Sequence, residues 1–148
     1  MDADWHAHLI DTDAAIDGLI SRVHRVAVLG IKPDDRPSEP AWYVPAYAQR
    51  AGLEIVPVTP RHPGVATILG QPVVRSLREV TGHVDLIDVF RRAADLPAHL
   101  DEFLALKPDA VWFQLGIRND DVAEALARAG IDVVQDRCLK VELARNGR

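Results

Sequence analysis

Five short apolar runs recur along this 148-residue chain, and stretches with helical periodicity separate them. The runs are Arg25–Gly30, Leu53–Val58, Val84–Phe90, Ala110–Leu115 and Ile131–Gln135. Each is apolar almost throughout, as a strand covered on both faces must be; a strand with one wet face alternates instead. β-Branched runs alternating with Ala- and Leu-rich amphipathic stretches are the pattern of βαβ units. The expected fold is therefore α/β: a Rossmann-like, three-layer, doubly wound sheet, mostly parallel, with about five core strands. The length suits one domain, 1–148, with an N-terminal helix within 1–24 and the layered core in 25–145.

The connecting stretches can be placed in the same way. Ile16, Leu19, Ile20 and Val23 repeat at helical spacing, with Asp11 or Thr12 as the cap. Residues 31–40, rich in Pro, Asp and Ser, read as a loop. A helix is expected from about 44 to 51, with Pro45 in its first turn and Gly52 behind it. Pro57 lacks a ladder donor, which puts the second run at a sheet edge. Residues 71–74 suit a short extra strand and 76–80 a turn or two of helix. Further helices are expected over 96–106, with Pro97 in the first turn, from the Asn119 cap to Ala129, and over 139–145.

Charge and composition narrow the function. The formal net charge is -5, which argues against a general nucleic-acid binder, since such affinity rests on a basic face, and leaves room for a local basic pocket for phosphates. No apolar run is long enough to span a membrane. The first residues carry no basic start followed by an apolar stretch, so no signal peptide is expected. Cys138 is the one cysteine and has no internal disulfide partner, in keeping with a cytoplasmic protein.

Open parallel sheets bind ligands beyond the C-terminal ends of their strands. The segments there are Gly30-Ile31-Lys32, Thr59-Pro60-Arg61, Arg91-Arg92, Gly116-Ile117-Arg118 and Asp136-Arg137-Cys138. Any single cation among them reads as a solvated charge. Lys32, Arg61, Arg91 and Arg118 together point to an anion site at one sheet edge, and phosphate is the natural occupant. An NAD site would have Asp or Glu after the second strand to hold the ribose hydroxyls. This chain has Arg61 at that place, which suits a phosphorylated ribose.

Catalytic chemistry is less visible. Cys138 stands between Arg137 and Lys140, where a reactive thiol competes with a packed small residue. His6, His8 and His62 have no third metal ligand at a recognisable spacing. Asp85 and Asp88 point to opposite faces of their strand and cannot act as a pair. Asp136 and Arg137 suggest a structural ion pair, and Trp112 and Phe113 suggest core. No nucleophile–base order and no phosphate-binding Gly-Lys-Ser/Thr loop occurs. A binding module fits better than an enzyme.

The ordered combination of motifs resembles the CoA-binding family of small Rossmann-like proteins, which is related to the CoA-binding domain of the succinyl-CoA synthetase α subunit. The motifs are Val26-Ala27-Val28-Leu29-Gly30, Lys32-Pro33 with Arg36-Pro37-Ser38, and Ile55-Val56-Pro57-Val58-Thr59-Pro60. Further along come Asp85-Leu86-Ile87-Asp88-Val89-Phe90-Arg91, Ala110-Val111-Trp112-Phe113-Gln114-Leu115-Gly116 and Asp136-Arg137-Cys138-Leu139-Lys140-Val141-Glu142. The resemblance implies that coenzyme A or an acyl-CoA is bound without catalysis at the C-terminal sheet edge. Gly30, Ile31 and Lys32 would then meet the pyrophosphate, with Arg36 and Ser38 on the loop that follows. Thr59, Pro60 and Arg61 would flank the adenosine end. Val89, Phe90 and Arg91 would form a wall, with Gly116 at the end of the next strand.

Two other readings stay open. An NADP-binding, oxidoreductase-like domain would use Arg61 on the 2′-phosphate. An interaction domain with a decayed nucleotide site would explain the bulk of Ile31 and Lys32 after Gly30. The expected partner is a small nucleotide ligand, with room for a homo-oligomer or a protein partner, and no nucleic acid or membrane.

Overall fold

The structure, a computed structural model, describes residues 4–148; the first three residues of the expected N-terminal helical region lie outside the described residues. The chain runs α1 (Asp13–Ile20), β1 (Arg25–Leu29), α2 (Pro40–Arg50), β2 (Glu54–Val58), β3 (Thr67–Ile68), β4 (Gln71–Pro72), β5 (Leu86–Val89), α3 (Leu96–Leu106), β6 (Ala110–Phe113), α4 (Asp120–Arg128), β7 (Asp132–Val134) and α5 (Leu139–Arg145). Single 3-10 turns lie at Trp5–His8, Leu77–Glu79 and Ala93–Asp95.

Five strands form one sheet in the order β2-β1-β5-β6-β7, every pair parallel, and β3 and β4 make a small antiparallel hairpin. The alternation of side chains along each strand divides the core between two faces. Val26, Val28, Leu86, Trp112 and Val134 pack with α1, α2 and α5. Ala27, Leu29, Ile87, Val89, Val111 and Phe113 pack with α3 and α4. The sheet is thus covered on both sides, and this is why its strands read as continuous apolar runs.

Both sheet edges are occupied, which removes open templates for aggregation. Beside β2, Val74 forms a parallel bridge with Val58. The Val74 N–H donates to the Pro57 carbonyl on that outer edge, so the N–H that Pro57 lacks belongs to the side away from β1. At the other edge Leu9 bridges Val133, and Ile10 N–H donates to Val133 O at 2.9 Å. His8 Nδ1 lies 2.7 Å from Asp132 Oδ1 and ties the same segment down.

Three local expectations differ from the structure. Helix α2 begins at Pro40, about one turn earlier than the sequence suggests, so Pro40 rather than Pro45 sits in the first turn. Pro45 lies inside the helix, where it leaves the Ala41 carbonyl without its usual donor. The backbone N–H of Lys32 supplies that bond at 3.1 Å and fastens the loop after β1 to α2. The expected strand at 71–74 is shared between β4 and the Val74 bridge. Finally, Asp136 and Arg137 do not pair with each other. Asp136 Oδ1 accepts from Gly116 N–H at 2.6 Å, while Arg137 reaches Asp13 and Glu142. Asp136 has a φ of 57°, which turns its carboxylate back toward β6.

Candidate functional site

The first two core strands lie on one side of the chain's reversal point and the last three on the other, so the crevice falls between the ends of β1 and β5. Gly30 ends β1 with a φ of 85°. A Cβ there would stand 2.5 Å from the Phe90 carbonyl oxygen. Only glycine lets the two strand ends come this close, because a side chain would meet backbone and the left-handed φ would be strained. Gly30 N–H donates to Val58 O, and Phe90 N–H donates to Leu29 O, each at 2.9 Å.

Above this junction lies a cleft of about 430 Å³ whose lining includes Gly30, Ile31, Lys32, Thr59, Arg61, Phe90 and Arg91. His62, Arg92 and Asp95 complete its polar rim. Four cations therefore face one carboxylate. Asp95 sits 3.3 Å from Arg92 Nε and 3.8 Å from Arg91 Nη2. Lys32 and Arg61 make no ion pair among the described residues. Arg91 Nε is buried without an acceptor. A cleft with several unneutralised donors favours an anion, and guanidinium groups suit phosphate oxygens in particular.

The loop that carries Thr59 and Arg61 is held from a distance. Arg75 Nη1 donates to the carbonyls of Arg61 (2.8 Å), His62 (3.2 Å) and Thr59 (3.4 Å). Its Nη2 donates to Val65 O (2.7 Å) and Pro63 O (3.3 Å). One guanidinium thus gathers five carbonyls and stabilises the left-handed φ of 58° at His62. Sequence reasoning missed Arg75, since a lone arginine between two short elements carries no signal for this role.

A second cleft of about 560 Å³ adjoins the first and shares Ala41, Phe90, Arg91 and Arg92 with it. Its walls are mainly apolar, with Tyr43, Val44, Leu115 and Ile117, and Gly116, Gln114 and Cys138 also line it. Gln114 is 4 % exposed and its Nε2 donates to Asp88 Oδ1 at 2.5 Å, while its Oε1 accepts from Leu139 N–H at 3.4 Å. Asp88 is fully buried, and burial pushes its carboxyl up to about 7 against the smaller opposing effect of the Gln114 hydrogen bond.

The sequence-derived residues separate accordingly. Gly30, Ile31, Lys32, Thr59, Arg61, Phe90 and Arg91 come together in the cationic cleft, and Gly116 lies in the neighbouring one. Arg36 turns toward Glu39 and Asp35, Ser38 and Pro60 are exposed, and Val89 is buried in the opposite core layer; none of the four lines either cleft. Arg118 also departs from the expected cluster. It pairs with Asp120 at 3.1 Å and lines a separate groove beside β7, because the turn after β6 directs it toward α4.

A five-stranded parallel sheet covered by helices on both faces, with its crevice at the strand reversal, defines a Rossmann-like α/β domain. The chain belongs to the CoA binding domain family, whose sequence model matches residues 24–144. It is 37 % identical over 128 residues to the uncharacterized protein YneT of Bacillus subtilis (strain 168), covering 86 % of this chain and 91 % of that one. The structure of cell-free ID.343 from Thermus thermophilus is similar with a TM-score of 0.85 and 43 % identity, over 92 % of this chain and 99 % of that one. A hypothetical protein from Pyrococcus horikoshii OT3 shares the fold at a TM-score of 0.82 and 22 % identity, over 93 % and 94 % of the two chains.

Proposed function

We propose that this chain is a non-catalytic binding module for coenzyme A or an acyl-CoA. The observation that carries the reading is the cationic cleft beside Gly30, where Lys32, Arg61, Arg91 and Arg92 converge on a glycine-tightened strand end. Gly30, Ile31 and Lys32 border the pyrophosphate, with the Lys32 ammonium as its cation. Arg61, on the loop after the edge strand, takes the 3′-phosphate of the ribose. Membership in the CoA binding domain family supports the choice of CoA over NADP, which has its extra phosphate on the ribose 2′ position. The domain carries, senses or presents its ligand and leaves chemistry to other proteins.

Calorimetry with CoA, NADP and NAD tests the ligand class. CoA is expected to bind and the other two to bind far more weakly. The substitution Arg61→Ala is expected to weaken CoA by about tenfold and dephospho-CoA by much less, as loss of one charge-assisted contact implies. Equal losses for both would remove Arg61 from the 3′-phosphate, and a preference for NADP would overturn the CoA reading.

A further inference from the structure

The apolar cleft beside the cationic one has features that a phosphate site does not need. It shares the Phe90–Arg91–Arg92 wall, so a ligand held by its phosphates in the first cleft can extend directly into the second. Leu115 stands on its lining with 71 % of its surface exposed, one of two large apolar side chains so exposed among the described residues. Gln114 presents a buried carboxamide to the same cleft. Its orientation is set twice, by Asp88 on the nitrogen side and by Leu139 N–H on the oxygen side. A carboxamide nitrogen carries two N–H groups, and one of them is engaged with Asp88, which leaves a second donor on an amide held in one orientation.

We infer that this cleft receives the acyl group of an uncharged, short-chain acyl thioester of CoA, with Gln114 donating its second N–H to the thioester carbonyl. The inference rests on the CoA reading above and adds which form of CoA the chain selects. The chain is short because the cleft must also take the end of the pantetheine arm. It is uncharged because Arg91 and Arg92, on the wall shared with the first cleft, are taken by the phosphates there, Tyr43, Val44, Leu115 and Ile117 beyond them offer a carboxylate no partner, and Glu39 on the same lining repels one. Asp88 acts here as a positioning residue: it does not line the cleft but holds the Gln114 amide in one orientation.

Calorimetry on the full chain with three probes tests this: CoA, butyryl-CoA, and S-butyl-CoA, a thioether that keeps the chain and lacks the carbonyl. Butyryl-CoA is expected to bind at least about tenfold more tightly than CoA, from burial of its methylenes. It should exceed S-butyl-CoA by about three- to tenfold, the usual range for one hydrogen bond. In Gln114→Met the ratio of butyryl-CoA to S-butyl-CoA is expected to fall to about one. Leu115→Glu, at an exposed position where folding is not at risk, should shrink the ratio of butyryl-CoA to CoA. Equal binding of CoA and butyryl-CoA by the natural chain, or an unchanged thioester-to-thioether ratio in Gln114→Met, overturns the acyl assignment and leaves the CoA reading intact. Failure of all three probes to bind strikes the CoA reading itself.

Discussion

Gln114 reaches Asp88 at 2.5 Å, and Asp88 Oδ2 has no hydrogen-bond partner in its buried place between β1 and β6. A buried carboxyl with one partner favours its neutral form, and its folded value of about 7 stands well above the ordinary 3.8. Between those two values the folded chain therefore binds more protons than the unfolded chain. Stability from this group is present at low pH and falls as pH rises from about 4 to about 7. Asp88→Asn should be more stable than the natural chain above pH 7, by about 2–4 kcal/mol, with the gap closing toward pH 4. Urea unfolding across that range checks it. Parallel pH profiles for the two proteins would show that Asp88 does not titrate there.

At Gly30 the backbone has both a left-handed φ and a carbonyl in the way of any Cβ. Gly30→Ala combines the left-handed penalty of about 1–2 kcal/mol with overpacking against backbone that cannot rotate aside, about 1–3 kcal/mol more. A loss of about 2–4 kcal/mol in denaturant unfolding is expected, together with loss of CoA binding. A loss under about 0.5 kcal/mol would mean that the two strand ends can part freely.

Arg75 holds five carbonyls of the loop that bears Arg61. Arg75→Lys keeps the charge but replaces a planar fork with a single ammonium. The expected result is a stability loss of about 1–3 kcal/mol and a CoA affinity reduced by tenfold or more. Amide hydrogen exchange should rise over residues 59–65 and stay unchanged in α3. Unchanged exchange in that loop would refute the clamp.

Trp112 is fully buried, and its Nε1 donates to Arg137 O at 2.8 Å, which joins β6 to the turn before α5. Trp112→Phe removes the donor, strands a carbonyl and leaves a void. The expected cost is about 1–3 kcal/mol in urea unfolding. Because Cys138, in that turn, lines the apolar cleft, acyl-CoA affinity should fall more than affinity for CoA. Equal losses would separate Trp112 from the cleft.

Much of the fold was legible before the structure. The five strand runs, the Thr12 and Asn119 caps and the terminal helix 139–145 all appear where local pattern places them. The sequence pattern starts α2 about one turn late because Pro45 reads as a first-turn residue in isolation. What allows it inside the helix is Lys32, whose N–H takes the Ala41 carbonyl across a loop. The candidate site was legible in part for the same reason. Gly30, Lys32, Arg61 and Arg91 follow directly from the strand ends.

Sequence alone determined the period of each element, the double-sided burial of the strands and the residues that would stand at their C-terminal ends, since all three depend on neighbours a few positions away. Tertiary packing decided which of those residues meet. Arg118 leaves β6 on the wrong side and pairs with Asp120, while Arg75, unremarkable in sequence, crosses to fasten a loop more than ten residues upstream. Strand order, turn direction and long-range hydrogen bonds set these distances, and no local pattern encodes them. The same holds for Gln114 and Asp88, which lie 26 residues apart and become a pair only when β5 and β6 align.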